Sequence, residues 1–384
     1  MHVEKLQLQQ TRLRYDDILV DQLDLALTLP ILSKDSLDIY IESMHLRAQT
    51  DRLDASFEAN LHGGLDSIFA DNMLLDFRGE TLFDGNLAVY HPMQLDSLYI
   101  RANCNQLYCN NNLFQALLAQ LSIESIKLPT PITNLKYIHY AGDVDGRLDN
   151  MLLHGAFKTE LGAMHVNGTV QINTPLQKVD FIGHISTQQF QLDKLLNHTD
   201  LGNIAFDAHV DGSIDSTYQL THCIAEANVK HFDYLDYTYN NIHIDGEWNI
   251  NEISGKLSIN DDNLKLAISG LADWDHNDTR IDLNVCIDDF TPSTLHLSQK
   301  LPDLCIGANT YISLYTSGTP KEMLDNLNGY VIIDSLRLVN NKNAHTIEQI
   351  KELIDSENRD QQPYHQIRIQ SDFVNYSTFL PIIP

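Results

Sequence analysis

Basic residues are scarce in this sequence. The 384 residues include 25 Lys and Arg against 52 Asp and Glu, which gives a formal net charge of −27 at pH 7. Affinity for nucleic acid comes largely from Lys and Arg side chains that displace counterions from phosphates. The same deficit weakens attraction to anionic lipid head groups. The charge balance therefore excludes nucleic acid as an expected partner.

Long apolar runs are also missing. The longest strongly apolar stretch, Leu23–Leu32, is interrupted by Asp24, Thr28 and Pro30. A membrane-spanning helix needs ~20 consecutive apolar residues. The first residues mix polar and apolar side chains, without the charged segment and the roughly 7–15-residue apolar core of a signal peptide. We therefore expect neither a membrane-spanning helix nor a signal peptide in this chain.

Paired cysteines and catalytic motifs are absent as well. The five cysteines form no CxxC or zinc-type Cys/His spacing, and an odd number cannot pair completely within one chain. No GxxxxGK[ST], GxGxxG, HExxH or GxSxG string occurs, so the usual phosphate-binding and hydrolase signatures are missing. We expect a protein that is not an enzyme and that holds no metal or other cofactor. Whether Cys104 and Cys109 form a disulfide is left open.

The sequence is rich in alternation of apolar and polar residues. Apolar residues stand at every second position from Ile204 to Val210 and from Ile242 to Ile250, mostly with polar residues between them. A period of two is the pattern of a β-strand with one apolar and one wet face. Similar runs recur through most of the chain. The sequence therefore predicts an all-β fold, an elongated antiparallel β-sheet with one covered face and a few short helices.

Local signals predict the few helices. Leucines at helical spacing predict a helical insert near 110–121. Thr346 and Gln349 stand in a capping-box arrangement, which predicts a second helix over 346–358. Shorter helical turns are predicted near 192–196, 293–301 and 321–327.

Glycines after Asp predict turns, and weak repetition predicts the organisation of the chain. The Asp-Gly pairs at 84–85, 145–146 and 211–212 are interpreted as turns, the pair at 245–246 as part of a strand or bulge, and 261–263 as a turn. Weak repeat units lie near 140–190, 201–290 and 308–384. Repeats that stack edge to edge give elongated architectures. We therefore expect one repetitive segment over 1–384.

Acidic residues and histidines could be mistaken for metal ligands. Asp143 and Asp145, with Asp261 and Asp262 further on, lack the DxDxDG spacing of a calcium loop and are interpreted as turn residues. The 17 histidines, including His209 and His243, show no HxH or i,i+4 clustering. They are interpreted as part of a solvated surface.

Aromatic residues suggest a second alternative, a sugar-binding platform. Trp248 lies near Tyr234, Tyr237 and Tyr239 in the sequence. Aromatic residues at alternating strand positions more simply pack against cross-strand neighbours. Packing is the interpretation we prefer.

The apolar face of such a sheet must be covered. Large exposed apolar patches usually mark a binding surface or cause aggregation. The sheet therefore either closes on itself around an ordinary core, or curls into an open trough that holds an apolar ligand. The candidate lining of this face is Ile204, Phe206, Val210, Ile242, Ile244, Trp248, Leu257, Ile259, Leu264, Leu266, Ile268, Ile281, Leu283 and Val285.

Four segments resemble the translocation and assembly module family TamB, within the AsmA-like group, in its Bacteroidetes form. They are Tyr140–Leu176, Asp200–Ser213, Tyr237–Trp274 and Asn326–Leu338, which are similar to the repeating strand and glycine-turn units of that family. The resemblance implies a taco-like β-groove in the periplasm of the cell envelope. It also implies that phospholipid acyl chains travel along this groove between the inner and outer membranes, in outer membrane biogenesis.

The resemblance also implies partners and alternatives. Family members begin with an inner-membrane anchor helix and end with a C-terminal domain that meets an outer-membrane barrel protein of the Omp85 type. This chain shows neither, so it is expected to be an internal piece of a longer protein or a truncated product. An alternative implied role is outer-membrane protein assembly or secretion. From the residues alone, a structural or adhesive β-protein with a closed core is a further alternative.

Overall fold

The computed structural model of this chain consists almost entirely of β-strands. It describes residues 3–381 except 16–17, 34–35, 49–53, 78, 111, 113–134, 148, 174–177, 216–218, 276–277, 299, 301, 319–325, 341–342, 348–349, 355, 360–361 and 371–374. The chain divides into two compact units, Met1–Phe190 and Gln191–Pro384. No helix in the described part of the chain has the length and apolar character needed to cross a membrane.

The first unit is an antiparallel sheet in which each strand pairs with the next along the chain. One 3-10 turn, Leu95–Ser97, interrupts it. Its strands are β1 (Val3–Tyr15), β2 (Ile18–Leu32), β3 (Leu37–Ala48), β4 (Asp54–Gly63), β5 (Ser67–Phe77), β6 (Glu80–Tyr90), β7 (Tyr99–Cys109), β8 (Ile138–Arg147), β9 (Asn150–Thr159), β10 (Gly162–Asn173) and β11 (Lys178–Gln191).

The second unit repeats this plan. It opens with a short helix α1 (Leu192–Leu196), which ends because Asn197 adopts a left-handed conformation at φ 52°. The main sheet contains β12 (Leu201–Asp215), β13 (Leu220–Tyr234), β14 (Tyr237–Asn249), β15 (Glu252–Asn260), β16 (Leu264–Asp275), β17 (Asp278–Phe290), β18 (Cys305–Ser317), β19 (Asn328–Val339), β20 (Ala344–Ile347) and β21 (Ile350–Ile354). A three-stranded sheet follows, with β22 (Ser356–Arg359), β23 (Gln362–Gln370) and β24 (Asn375–Pro381).

The predicted fold class is confirmed. The sheets are antiparallel and open, and helix is almost absent from the described residues. The predicted strand at 204–210 lies in β12, and the predicted strand at 242–250 lies in β14 except for Ile250, which is in the following turn. The physical cause is the period of two, since neighbouring side chains on a strand point to opposite faces. The repeat units near 140–190, 201–290 and 308–384 stay a prediction.

Three predicted turns are wrong. Gly85, Gly146 and Gly212 lie inside β6, β8 and β12 rather than between strands. Gly85 has φ +156°, and a Cβ atom added there would lie 2.1 Å from the backbone oxygen of Asn103 on the neighbouring strand. Glycine at this position therefore allows a close approach of two backbones, not a reversal of the chain. The expected turn at 261–263 is confirmed, and Gly246 lies inside β14 as expected.

The predicted helix over 346–358 is also wrong. This stretch forms β20, β21 and β22 instead. Ile347 pairs with Leu336, and Ile350 pairs with Ile333, both on β19. The unpaired backbone groups along the edge of β19 offer a ladder of hydrogen bonds, which overrides a weak local helical preference. The predicted helical turn at 192–196 is confirmed as α1, whereas the insert near 110–121 and most of 321–327 lie outside the described residues.

The core of the first unit contains a free cysteine. Cys104 is 5% exposed and packs with Phe83, Ala102 and Tyr140. All five cysteines are free, so Cys104 and Cys109 are not bridged. Burial, followed by the charge of Asp143, raises the pKa of the Cys104 thiol to about 11. Because the thiolate is the reactive form, Cys104 is expected to react slowly near neutral pH.

Thiol labelling tests this description of the core. At pH 8 we expect Cys104 to react with a disulfide reagent at least about 100-fold more slowly than free cysteine, since few molecules carry the thiolate and access is blocked. After unfolding in urea, all five thiols are expected to react in one fast phase. Replacing Cys104 by alanine should remove the slowest phase alone. Equal rates for all five thiols in the folded protein would contradict this description.

Candidate functional site

The predicted lining residues all lie on one face of the sheet β12–β18. Strand register places Ile242 opposite Ile259, Leu257 opposite Ile268, and Ile268 opposite Val285. The same rows continue to β18, where Leu283 faces Ile312. Residues that face each other across an antiparallel pair point to the same side. Hence all fourteen candidates, spread over five strands of the sequence, form one apolar surface.

One end of this surface is a closed core. Leu295 is 0% exposed and packs among Val229, Tyr239, Ile242 and Leu264. Seven of the candidate lining residues belong to this cluster or pack against it: Ile204, Phe206, Ile242, Leu257, Ile259, Leu264 and Leu266. Side chains from β12 to β17 share the cluster, so this part of the sheet faces a common interior.

A turn that follows β17 places Leu295 in the closed core. The backbone N–H of Leu295 donates to the Thr291 carbonyl at 3.2 Å, and that of Leu297 donates to the Pro292 carbonyl at 3.0 Å. The His296 ring nitrogen Nδ1 lies 3.0 Å from the Leu235 carbonyl in the turn between β13 and β14. These bonds hold the segment over the end of the apolar face.

A buried carboxylate fixes the turns at the same end. Asp261 is 3% exposed and accepts hydrogen bonds from the Asn240 backbone N–H, the Asn240 amide and the Asn263 backbone N–H, each at 3.0 Å, and from the Tyr237 hydroxyl. Burial acts to raise the pKa of Asp261, but these hydrogen bonds outweigh burial and hold the pKa below its ordinary value. Asp261 is a structural carboxylate that joins β14, β15 and β16.

The other end of the surface contains an open apolar trench. We use this name for the cavity of about 320 Å³ whose floor is formed by Ala225, Gly246, Gly255 and Gly270. These four residues are in register on adjacent strands. The walls are formed by Cys223, Trp248, Ile253 and Ala272 on one side and by Ile244, Leu257 and Ile268 on the other. The volume lies within the range of small-molecule pockets.

The glycines create this trench by removing side chains from one row. Gly255 and Gly270 have φ angles of +148° and +155°, a backbone region that residues other than glycine rarely adopt. A Cβ atom on Gly270 would lie 2.0 Å from the Asp282 carbonyl oxygen. The floor therefore lies one side-chain layer below the flanking rows. Side chains from five adjacent strands, β13 to β17, line the cavity.

Both walls of the trench include exposed side chains. Trp248 is 40% exposed and Ile253 is 39% exposed on one wall, and Ile244 is 38% exposed on the other. Ile242 and Leu264, which lie beyond the Ile244 wall, are buried. Trp248 contacts Trp274 edge to face, with ring centroids 6.2 Å apart, and the Trp274 indole N–H donates to the Ile250 carbonyl at 3.1 Å. Exposed aromatic and aliphatic side chains at the mouth of an apolar cavity are typical of a ligand-binding site.

The structure places eleven of the fourteen candidates in these two regions. Ile244, Trp248, Leu257, Ile268 and Leu283 line the trench, and Leu257 also packs against the closed core. Val210 and Ile281 belong to neither group but stand on the same face, opposite Ala225 and Ala272. Val285 stands there too, opposite Ile268. Their role as a lipid-contacting wall stays a prediction.

The aromatic residues do not form one platform. Tyr239 is buried in the closed core, and the ring centroid of Tyr237 lies 4.8 Å from that of Tyr239. The Tyr237 hydroxyl donates a hydrogen bond to Asp261, whereas Tyr234 stacks on Phe232. Trp248 lies at the opposite end of β14.

The opposite face of β12–β18 is polar at His243, which lies 2.9 Å from the Asn228 amide oxygen. In the first unit, Asp143 accepts a hydrogen bond from the Asn103 amide at 2.7 Å. Asp145 pairs with Arg101 at 2.8 Å. Among the described residues, no group of three or more His, Cys, Asp or Glu side chains is placed to hold a metal ion.

Reasoning from the sequence missed two features of this face, the buried Leu295 and the row of glycines on the trench floor. Leu295 lies in an irregular segment without periodicity, so nothing local identifies it as a core residue. The glycine row does carry a signal: Gly246 and Gly255 are equidistant from the turn after β14, and Gly255 and Gly270 are equidistant from the turn after β15. Equal spacing from a hairpin turn places two glycines opposite each other.

Comparison with known proteins adds no relative to this description: no family model, no curated protein and no solved structure matches the chain. The similarity to the TamB family therefore rests on the strand and glycine pattern of the sequence alone.

Proposed function

We propose that this chain binds the acyl chains of lipids on the apolar face of β12–β18, as a non-enzymatic segment of a lipid-conducting groove. The observation that carries the proposal is the open apolar trench beside a closed core on the same face. Burying hydrocarbon is worth about 0.8 kcal/mol per CH2 group. Transfer of a lipid breaks no covalent bond, so the mechanism requires a continuous apolar wall and no catalytic group.

The rows of the sheet support movement of a chain from strand to strand. The row at Ile244 runs through Leu257, Ile268 and Val285 to Thr310 on β18. No charged side chain lies in this row, and an inward charge would be costly to desolvate against hydrocarbon. An acyl chain can therefore remain in apolar contact as it shifts across strands.

The biological setting of the proposal follows from the resemblance to the TamB family. We propose phospholipid transport between the inner and outer membranes, in the periplasm, with an Omp85-type outer-membrane protein as the partner of a region beyond this chain. The closed core around Leu295 favours one other candidate, a structural or adhesive β-protein whose apolar face is wholly packed. The two candidates differ in whether lipid occupies the trench.

Lipid extraction and mass spectrometry of the purified chain test the proposal. We expect copurified phospholipid, and binding of a fluorescent fatty acid that Ala225→Phe weakens at least about tenfold. The new ring fills the floor opposite Gly246, and displacing two CH2 groups costs about 1.6 kcal/mol.

A matched variant separates occupancy of the trench from general damage. Ala267→Phe introduces the same ring on the polar face of β16, where Ala267 is exposed, and should leave binding unchanged. The absence of both copurified lipid and fatty-acid binding would favour the packed structural protein. Equal binding by the wild type and Ala225→Phe would place the lipid elsewhere.

A further inference from the structure

The first unit carries four aromatic rings in contact with one another across adjacent strands. The rings of His62 on β4 and Phe69 on β5 are stacked, with centroids 5.0 Å apart. Phe69 meets Tyr90 on β6 edge to face at 5.7 Å, and Tyr90 meets Tyr99 on β7 edge to face at 5.9 Å. We call these four residues the aromatic row. His62 is exposed and the other three are half-buried, so water reaches the whole row.

Strand register places the row on the face opposite the core of the first unit. Tyr99 and Arg101 alternate along β7 with Ala102, which is buried in the core cluster. Tyr90 is directly opposite Tyr99, and on the other side of β7 Arg147 is directly opposite Tyr99 as well. Residues in directly opposed positions point to the same face. The rings and the two arginines therefore share the polar face of this sheet.

The aromatic row ends in a pocket of about 430 Å³. The lining residues are Tyr90, His91, Ser97, Tyr99, Arg101 and Arg147. The two tyrosine rings are inclined at 70°, and in an edge-to-face contact the ring that supplies its edge keeps both of its faces free of its partner. Packing between strands accounts for the ring contacts but not for the pocket. Apolar ring surface beside a few convergent polar groups is typical of a small-molecule site.

The loop between β6 and β7 forms one side of the pocket and is held by hydrogen bonds. His91 has φ 52°, a left-handed conformation, and its backbone N–H donates to the Asp66 carbonyl at 2.8 Å. The Ser97 backbone N–H donates to the Gln94 carbonyl at 3.0 Å, and the Ser97 hydroxyl donates to the Gln94 side-chain oxygen at 3.0 Å. A wall that is fixed before a ligand arrives loses less conformational entropy on binding.

The pocket has no excess of positive charge, although two arginines line it. Asp145 accepts a hydrogen bond from the Arg101 Nε atom at 2.8 Å. Asp149 accepts two hydrogen bonds from Arg147, both at 3.1 Å. Hydrogen bonds from the Tyr99 hydroxyl and then from Arg101 hold the pKa of Asp145 below its ordinary value, so this carboxylate is ionised at neutral pH. Each guanidinium group is thus matched by a carboxylate but has more N–H donors than one carboxylate uses.

We infer that this pocket binds an uncharged sugar, with a pyranose ring against Tyr90 and Tyr99 and its hydroxyl groups on Arg101 and Arg147. A pyranose presents C–H groups on its faces and hydroxyl groups around its rim, which matches apolar rings beside polar donors. An anion would gain little, because both arginines are already paired and the charged residues of the loops 64–66 and 91–98 are all acidic. The inference does not depend on the proposed function.

Calorimetric titration of the full chain with cellotetraose, maltotetraose and chitotetraose tests the inference. We expect at least one of them to bind with a Kd of about 1 mM or below. Because these sugars are uncharged, the affinity should change by less than about twofold between about 20 mM and 0.5 M salt. An excess of inorganic phosphate should not displace the sugar.

Variants of two lining residues locate the bound sugar. Tyr90→Leu removes a ring and should weaken binding at least about tenfold. Arg147→Gln should weaken it at least about fivefold, through the loss of charge-assisted hydrogen bonds. The Arg147 side chain is 51% exposed, so this variant is expected to fold normally even if Tyr90→Leu does not.

Matched controls change the same residue types elsewhere. Tyr40→Leu removes an exposed tyrosine of β3 that lies outside the aromatic row. Arg280→Gln removes an arginine of β17 that, like Arg147, pairs with the carboxylate two residues further along the chain. Both controls should keep the affinity within about twofold of the wild type.

The outcomes distinguish this inference from the lipid proposal. Failure of all three sugars to bind would overturn the inference and leave the lipid proposal intact, since the two sites share no residue. Wild-type affinity in both Tyr90→Leu and Arg147→Gln would place the sugar elsewhere and overturn the assignment of this pocket. Displacement of the sugar by phosphate, or an affinity that falls steeply with salt, would show an anion site instead.

Discussion

Replacing Gly270 by alanine is expected to lower the free energy of unfolding of the second unit by about 3 kcal/mol or more. Two costs combine in this variant. Gly270 has φ +155°, and the new Cβ atom would meet the Asp282 carbonyl oxygen at 2.0 Å and the Leu283 Cα atom at 2.9 Å. Left-handed strain costs about 1–3 kcal/mol, and overpacking against a fixed neighbour costs a similar amount. Urea denaturation followed by tryptophan fluorescence measures the loss, since both tryptophans lie in this unit.

A second glycine of the same face provides the control. Gly212 on β12 lies outside the left-handed region, and a Cβ atom added there would meet its nearest neighbour, the His222 carbonyl oxygen, at 3.5 Å. Alanine at position 212 should therefore change the free energy of unfolding by less than about 1 kcal/mol. Similar losses for Gly270→Ala and Gly212→Ala would show that the trench floor does not depend on close backbone contact.

Replacing Asp261 by asparagine is expected to cost about 3 kcal/mol at pH 7. The carboxylate accepts four hydrogen bonds from three residues, whereas an amide has one acceptor atom and would direct its NH2 group at other donors. Bonds to a charged group contribute roughly 1.5–3 kcal/mol each in net terms, and leaving a buried donor unpaired adds to the loss. The free energy of unfolding from urea titrations of wild type and variant gives the difference.

The pH dependence of this difference has a defined sign. The pKa of Asp261 is lowered in the folded protein. The folded state therefore favours the ionised carboxylate more than the unfolded chain does, where the pKa of aspartate is about 3.9. The stabilisation is present above the unfolded pKa and is lost as the pH falls through the folded value. The gap between wild type and Asp261→Asn should therefore narrow below about pH 4.

The adjacent residue serves as the control for this prediction. Asp262 is exposed in the same turn, and Asp262→Asn should change the free energy of unfolding by less than about 0.5 kcal/mol. A gap for Asp261→Asn that stays constant or widens towards low pH would show that the carboxylate is not held in its ionised form by these bonds.

The faces of the sheet could be predicted from the sequence because their cause is local. A strand directs alternate residues to opposite sides whatever its partner, so Ile242 and Ile244 on β14, and Leu283 and Val285 on β17, could be placed on one face of their own strand from parity alone. The division of that face into a closed core and an open trench could not be predicted. It depends on Leu295, which arrives from an irregular turn after β17, and on the register of glycines on different strands.

The wrong turn predictions and the wrong helix prediction share a physical cause. Gly85 and Gly212 were expected in turns because glycine is the usual residue of turns, yet glycine is equally suited to close contact between strands. Only the partner strand decides between these uses. The stretch 346–358 likewise fits a helix by its own residues, and the available backbone edge of β19 converts it to strands.

The alignment of the glycine row limits how the chain can vary at its surface. The turn at Ile250 and Asn251 is exposed, and exposed turns usually tolerate insertions and deletions. A change of one residue in this turn would move β15 by one position relative to β14 and direct Lys256 instead of Gly255 towards the apolar face. A change of two residues would restore the faces but set Ile253 or Leu257 opposite Gly246. Turn length is therefore as constrained here as the composition of a buried core, although no side chain of the turn enters the trench.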